Sequence, residues 1–282
     1  MPSMSELIKT YGIRPRHSWG QNFLADRNTL LRLVETIGLD ESDTVVCEFG
    51  AGLGALTSAV AAPGRTVVAV ERDRDLCEVL RRLEFAGPVE IAEADAQTFD
   101  LQALAVRNGG PFKLIGNLPY HISSALLLRT IEERRFLKSA AFLVQSEFAE
   151  RLTAKAATPE YSILSVLFQR SAKVRRVLPV KRGCFIPVPR VDSSFILIDF
   201  IEDPVFRVPD EKLFSDFVRA AFNQRRKTVI NSIKGQPFTD FSAAQIAELK
   251  RLHPELETRR AEELSCLQFV AIVRNLHTIA GG

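Results

Sequence analysis

Apolar and polar positions alternate in two rhythms through the first half of the chain. Short β-branched runs, Thr44 to Phe49, Thr66 to Glu71, Val89 to Asp95, Phe112 to Asn117 and Ala140 to Gln145, read as buried strands. Amphipathic stretches lie between them. Asp26 to Gly38 opens on a capping Asp and closes on Gly, and Ala55 to Ala62, Asp73 to Leu83 and Ser123 to Arg135 carry the same helical periodicity. The alternation predicts a doubly wound α/β sheet. After Gln145 the rhythm changes: a helix through Ala154 and another near Ser162 to Gln169 precede two strands, Lys173 to Val180 and Val191 to Phe200, expected to pair antiparallel at a sheet edge. Glu202 to Asp210 holds two prolines and several charges, and beyond it Lys212 to Ile233, Ala243 to Leu252 and Ala261 to Leu276 are all helical in pattern. The expected domains are therefore 1–202 and 203–282.

A chain of 282 residues, 46% hydrophobic and 25% charged, is long enough for a sizeable core and has the balance of a globular protein. No apolar run approaches the ~18 residues that span a bilayer, so no membrane partner is expected. Met1 to Trp19 mixes Glu6, Lys9, Arg14 and Arg16 with Pro and Gly, without an apolar stretch leading to a cleavage site, and a cytoplasmic location is expected. Cys47, Cys77, Cys184 and Cys266 are far apart and form no C-x-x-C pair, which reads as reduced thiols with no metal site; Cys47 fits a small core residue. No heptad seam stands out, and a monomer is expected.

The net charge of +3 does not by itself mark a nucleic-acid binder, but the charge is unevenly placed. Arg170 to Arg190 holds seven basic residues and no acidic one. Arg225-Arg226-Lys227, expected within a helix, and Arg14, Arg16 and His17 form two more clusters. These are either phosphate contacts or separate solvated faces.

Chemistry concentrates at predicted strand ends. Glu48-Phe-Gly50-Ala-Gly52-Leu-Gly54 follows the first strand and leads into a helix, letting backbone pass close to a ligand. A dinucleotide fingerprint would space its glycines G-x-G-x-x-G; G-x-G-x-G with an acidic residue two positions ahead leans towards S-adenosylmethionine. Glu71 closes the second strand, where a carboxylate accepts ribose hydroxyls in dinucleotide and S-adenosylmethionine sites alike. Asp95 ends the third and is placed to accept from a cofactor amino group. Asn117-Leu118-Pro119-Tyr120 ends the fourth. An exocyclic base amine attacks poorly because its lone pair is delocalised into the ring. The Asn117 side-chain oxygen and a main-chain carbonyl, aimed by the extended backbone that Pro119 favours, would localise that pair, while Tyr120 offers a stacking face. Asn-x-Pro is also an ordinary loop initiator. His121 beside the loop reads as a solvent-facing histidine, since the methylated amine can lose its proton to water.

With Gln21-Asn22-Phe23-Leu24 ahead of the first helix, these motifs resemble the ribosomal RNA adenine N6-dimethyltransferases. The resemblance covers most of the chain, through Val144-Gln145-Ser146-Glu147, Phe185-Ile186-Pro187-Val188-Pro189-Arg190-Val191-Asp192-Ser193 and Phe222-Asn223-Gln224-Arg225-Arg226-Lys227-Thr228. It implies a Rossmann-like S-adenosylmethionine-dependent methyltransferase domain with a small C-terminal all-helical RNA-substrate domain. It further implies that Asn22, Leu24, Gly50, Gly52, Glu71, Asp95 and Asn117 contact S-adenosylmethionine, and that Leu118, Pro119, Tyr120 and Phe185 hold the target adenine, with Tyr120 and Phe185 sandwiching it. Leu118 and Val191-Asp192-Ser193 are more similar to the small-subunit branch. The implied reaction is dimethylation of two adjacent adenines near the 3′ end of small-subunit ribosomal RNA, within a partly assembled subunit. Ala51, Ser146, Ser162-Ile163, Ala125 and Val188 depart from the residues usual in the family. The alternatives are a large-subunit adenine methyltransferase and a ribosome-assembly or RNA-binding factor whose methylation is dispensable.

Overall fold

The computed structural model describes residues 2–16, 19–234 and 241–280, which leaves His17 of the N-terminal basic cluster outside the described residues. The chain divides into two compact units, one of Met1–Ala149 with Val174–Phe200, the other of Glu150–Lys173 with Ile201–Gly282. The last of the three crossings, after Phe200, lies near the boundary expected after residue 202. The segment 150–173, expected in the first domain, groups with the helical unit.

The first unit holds α1 (Met4–Thr10), β1 (Phe23–Leu24), α2 (Arg27–Ile37), β2 (Val45–Phe49), α3 (Ala55–Val60), β3 (Thr66–Glu71), α4 (Arg74–Leu80), β4 (Val89–Glu93), α5 (Leu101–Asn108), β5 (Phe112–Asn117), α6 (Ser123–Glu132) and β6 (Leu137–Gln145). From β6 the chain runs through α7 (Ser146–Thr153) and α8 (Ile163–Ser171) into β7 (Ala172–Val180), β8 (Phe185–Ile186) and β9 (Ser193–Phe200). The main sheet has the order β4-β3-β2-β5-β6-β9-β7. β2, β3, β4, β5 and β6 are parallel, and β9 returns antiparallel to β6. As expected, β7 and β9 are neighbours at one edge. From β2 the chain steps outward through β3 to β4 and then returns to β5 on the other side of β2, and this reversal opens a crevice beyond the carboxyl ends of the strands. Val46, Cys47, Val67, Ala69, Leu114 and Ile115 are fully buried, which explains why these strands read as continuous apolar runs.

Local chemistry sets the boundaries. Asp26 caps α2 by accepting from the Thr29 amide at 2.7 Å, and Gly38 ends it in the left-handed region at φ 62°. α1 and α5 were not expected: each is about two turns long, too short for a clear period, although Ser3 and Asp100 cap them.

The helical unit also contains α9 (Glu211–Phe222), α10 (Val229–Ile233), α11 (Ala243–Leu252) and α12 (Cys266–Ala280). Phe214, Phe217 and Phe269 are fully buried, and the Phe269 ring stacks on Phe222 at 5.8 Å. The single helix expected over Lys212 to Ile233 is two. The Ser232 hydroxyl donates to the Ala220 carbonyl at 2.8 Å and accepts from the Gln224 amide, so α10 folds back on the end of α9. Arg225-Arg226-Lys227 consequently lies in the turn between them, with Arg225 drawn to Glu262 and to the Pro159 carbonyl. The helix expected from Ala261 is likewise a short 3-10 turn, Ala261–Glu263, before α12 begins.

Candidate active site

Three carboxylates stand at or just past adjacent strand ends. Glu48 is 1% exposed and accepts from the Thr57 hydroxyl at 2.5 Å. Burial, helped by the neighbouring Glu71 charge and opposed by the Thr57 bond, pushes its pKa up to about 8. Glu71 is also buried, and burial raises its carboxyl too, against amide donations from Asp73 at 2.8 Å and Gly52 at 2.9 Å. A carboxylate has about four lone-pair sites, so two such bonds leave Glu71 capacity for hydroxyl donors. The Gly52 contact depends on glycine: its φ is 59°, and a Cβ there would sit 3.1 Å from the Phe23 ring.

Asp95 lies two residues beyond β4, whose ladder ends at Glu93, rather than closing the strand. One oxygen accepts from the Gln97 amide at 2.8 Å and the other faces Arg72 at 3.5 Å. Arg129 on α6 donates to the Ala96 and Phe99 carbonyls and so fixes the turn that carries Asp95.

On the other side of β2, the side-chain amide of Asn117 donates to the Asn22 carbonyl at 2.8 Å, which leaves its oxygen as an acceptor. The Leu118 amide donates to Leu143, and the Pro119 carbonyl is taken by the Ile122 amide and the Ser123 hydroxyl. The Leu118 carbonyl accepts no hydrogen bond from the described residues. Tyr120 is half-buried, its hydroxyl 2.9 Å from that of Ser193, and burial raises its pKa. Gly116 allows this loop its position, because a Cβ there would lie 2.5 Å from the Phe49 carbonyl oxygen.

These groups line one cleft, whose empty space is about 1130 Å³ with its open mouth included. Asn22, Leu24, Gly50, Gly52, Glu71, Asp95, Asn117, Leu118, Pro119 and Tyr120 all border it, as does the exposed His121. Phe185 does not. It is 1% exposed, pairs with Leu24 across the β1–β8 ladder and packs in a core cluster with Leu24 and Leu33. The expected base-sandwiching role is not what this ring does here; it anchors the strand that carries Leu24 and directly follows Asn22.

Sequence reasoning missed Trp19, Arg72 and Arg129. Trp19 is the only tryptophan in the chain, and that singularity beside Gln21-Asn22 was the available signal. The departures Ser146 and Ser162 serve local structure. Ser146 joins the end of β6 to β9, its hydroxyl 3.1 Å from that of Ser194, and Ser162 caps α8 with Ser165.

The family model described as ribosomal RNA adenine dimethylase matches residues 12–269. Two relatives called ribosomal RNA small subunit methyltransferase A are similar over nearly full length. The one from Myxococcus xanthus is 38% identical over 98% of this chain and 96% of its own, and the one from Pelotomaculum thermopropionicum is 40% identical over 95% and 93%. The crystal structure of a dimethyladenosine transferase from Plasmodium falciparum superposes with a TM-score of 0.75 at 23% identity, covering 92% of this chain and 98% of that one, and shares its fold. With a model match across most of its length and relatives near 40% identity, the chain belongs to the ribosomal RNA adenine dimethylase family.

Proposed function

We propose that this protein transfers methyl groups from S-adenosylmethionine to the N6 amine of adenine in small-subunit ribosomal RNA, giving dimethyladenine. The observation that supports it most is the state of Asn117: its amide is committed to Asn22, so the side-chain oxygen is held as an acceptor beside the unclaimed Leu118 carbonyl. Two fixed acceptors match the two hydrogens of a planar amine, and drawing on both localises the nitrogen lone pair as positive charge develops. Tyr120, its hydroxyl tied to Ser193, gives the base a ring to stack on.

S-adenosylmethionine supplies a methyl group on a positively charged sulfur. The residues present fit it. Glu71 keeps acceptor capacity for ribose hydroxyls, Asp95 for an amino group, and Gly50 and Gly52 keep the backbone bare along the cleft. Glu48 and Glu71 face the cleft without cationic partners among the described residues, so a cationic ligand that draws off the Glu48 proton gains a negative counter-charge there. Catalysis is then largely positional: fixing amine and acceptors converts an encounter into an oriented reaction, and no strong general base is required. The assignments of Asn22, Leu24, Gly50, Gly52, Glu71, Asp95 and Asn117 to the cofactor, and of Leu118, Pro119 and Tyr120 to adenine, are part of this reading. Exposed Arg182 and Arg190 suit phosphate contacts on the RNA of a partly assembled subunit.

The test is to incubate the protein with radiolabelled S-adenosylmethionine and small subunits from a strain lacking adenine dimethylation, then identify the labelled nucleosides. Label in N6,N6-dimethyladenosine is expected. Subunit binding without label would replace this reading with that of an assembly factor.

A further inference from the structure

One aromatic side chain at the cleft is held in an arrangement that packing alone does not require. The Arg16 guanidinium lies 4.6 Å from the Trp19 ring centroid and that of Arg72 lies 4.4 Å from it. Two cations against one indole repel each other unless each has its own counter-charge. Arg16 has Asp75 at 2.8 Å and Asp73 at 3.4 Å; among the described residues Arg72 has only Asp95, at 3.5 Å, in a pair more than a third exposed on both sides. The second pair is long and solvated, so a ligand donor that takes the Asp95 carboxylate displaces it at little cost.

Trp19 also begins a short relay towards the acceptor loop. Gln21 is fixed to Asp73 at 2.7 Å and to the Arg16 amide at 2.8 Å, Asn22 donates to the Gly20 carbonyl at 3.0 Å, and the Asn22 carbonyl receives the Asn117 amide. The residues from Trp19 to Asn22 thus run from Arg72 and Asp95 to Asn117.

We propose that Trp19 is a positioning residue of the cofactor site, and that Arg72 couples its stacking to occupancy of Asp95. This rests on the reading of Asp95 as a cofactor contact. A cofactor amino group that engages Asp95 releases Arg72 from its carboxylate and changes the charge over the indole face. The tryptophan environment therefore reports binding, and the ring's electronics, beyond its bulk, contribute to affinity.

Because Trp19 is the only tryptophan, intrinsic emission reads this directly. S-adenosylhomocysteine is titrated into the wild-type protein while heat and emission are followed in parallel. Binding heat with an emission change at the same midpoint is expected. Heat without any emission change would overturn the coupling and leave the cofactor reading intact; no heat would overturn both. Calorimetry on variants then separates ring electronics from bulk. Trp19→Phe, which keeps a cation-binding face, should hold affinity within about twofold, while Trp19→Leu should lose about three- to tenfold. Equal affinities for the two variants would contradict the proposal.

Discussion

The two ends of the parallel sheet both bury carboxylates and treat them in opposite ways. At the amino ends, Asp43 is 2% exposed but meets Lys113 at 2.8 Å and Lys138 at 3.3 Å and accepts from the Asp40 amide. Burial is the largest influence and raises its pKa, yet the lysines and the amide together outweigh it and hold the carboxyl below its ordinary value. At the carboxyl ends, neither Glu48 nor Glu71 has an ion-pair partner among the described residues, and both titrate high. The difference separates a staple from a candidate site: where the fold needs a buried carboxylate for structure it supplies the cations, and at the end proposed for a cationic cofactor it withholds them.

The comparison can be broken at either end. Asn117→Ala should have the largest effect on chemistry, lowering single-turnover methylation by about 10²–10³ while cofactor affinity stays within a few fold. Wild-type-like turnover would remove Asn117 from the acceptor role. Asp43→Asn, at the structural end, should lower stability by about 3 kcal/mol in denaturant unfolding, because two lysines lose their charge partner, with cofactor affinity unchanged. Glu71→Gln should do the converse: affinity measured by calorimetry falls about tenfold or more as a charged acceptor is lost, and stability changes little.

Titration gives the two ends opposite signs. The depressed Asp43 stabilises fully above its ordinary value of 3.8, and that contribution is lost as pH falls through its folded value. Glu48 is raised from 4.5 to about 8, so the folded protein keeps a proton that the unfolded chain releases, and stability declines as pH climbs between those values. Glu48→Gln should flatten the melting temperature over that range, relieving on the order of 1 kcal/mol per pH unit; parallel wild-type and variant profiles would show Glu48 to be ionised throughout.

Much of the lining of the candidate site was legible because it consists of residues that sequence marks plainly. Gly50 and Gly52 at their fixed spacing, acids at strand ends and an Asn before Leu-Pro-Tyr are recognisable on short stretches, and all border the cleft. What was not legible depends on distant partners. Phe185 follows a strand-like run and bears an aromatic ring, but whether that ring faces the cleft or the core is decided by its pairing with Leu24, 161 positions away in the chain. Arg225 to Lys227 fit a helical period, and only the Ser232 bond to Ala220 shows that the helix has already ended. Trp19 gains its place from Arg72, which sequence alone leaves as one more surface charge.

The contrast between the sheet ends is tested most directly by the protons that accompany cofactor binding. S-adenosylmethionine binding would be measured calorimetrically at pH 7 in buffers of different ionisation enthalpy. With Glu48 near 8 when free, a cationic ligand should lower it and release a sizeable fraction of a proton, an effect lost in Glu48→Gln. A binding heat that does not depend on buffer would contradict the account: the ligand would then leave the protonation of the site-end carboxylates unchanged, and their lack of cationic partners would play no part in binding.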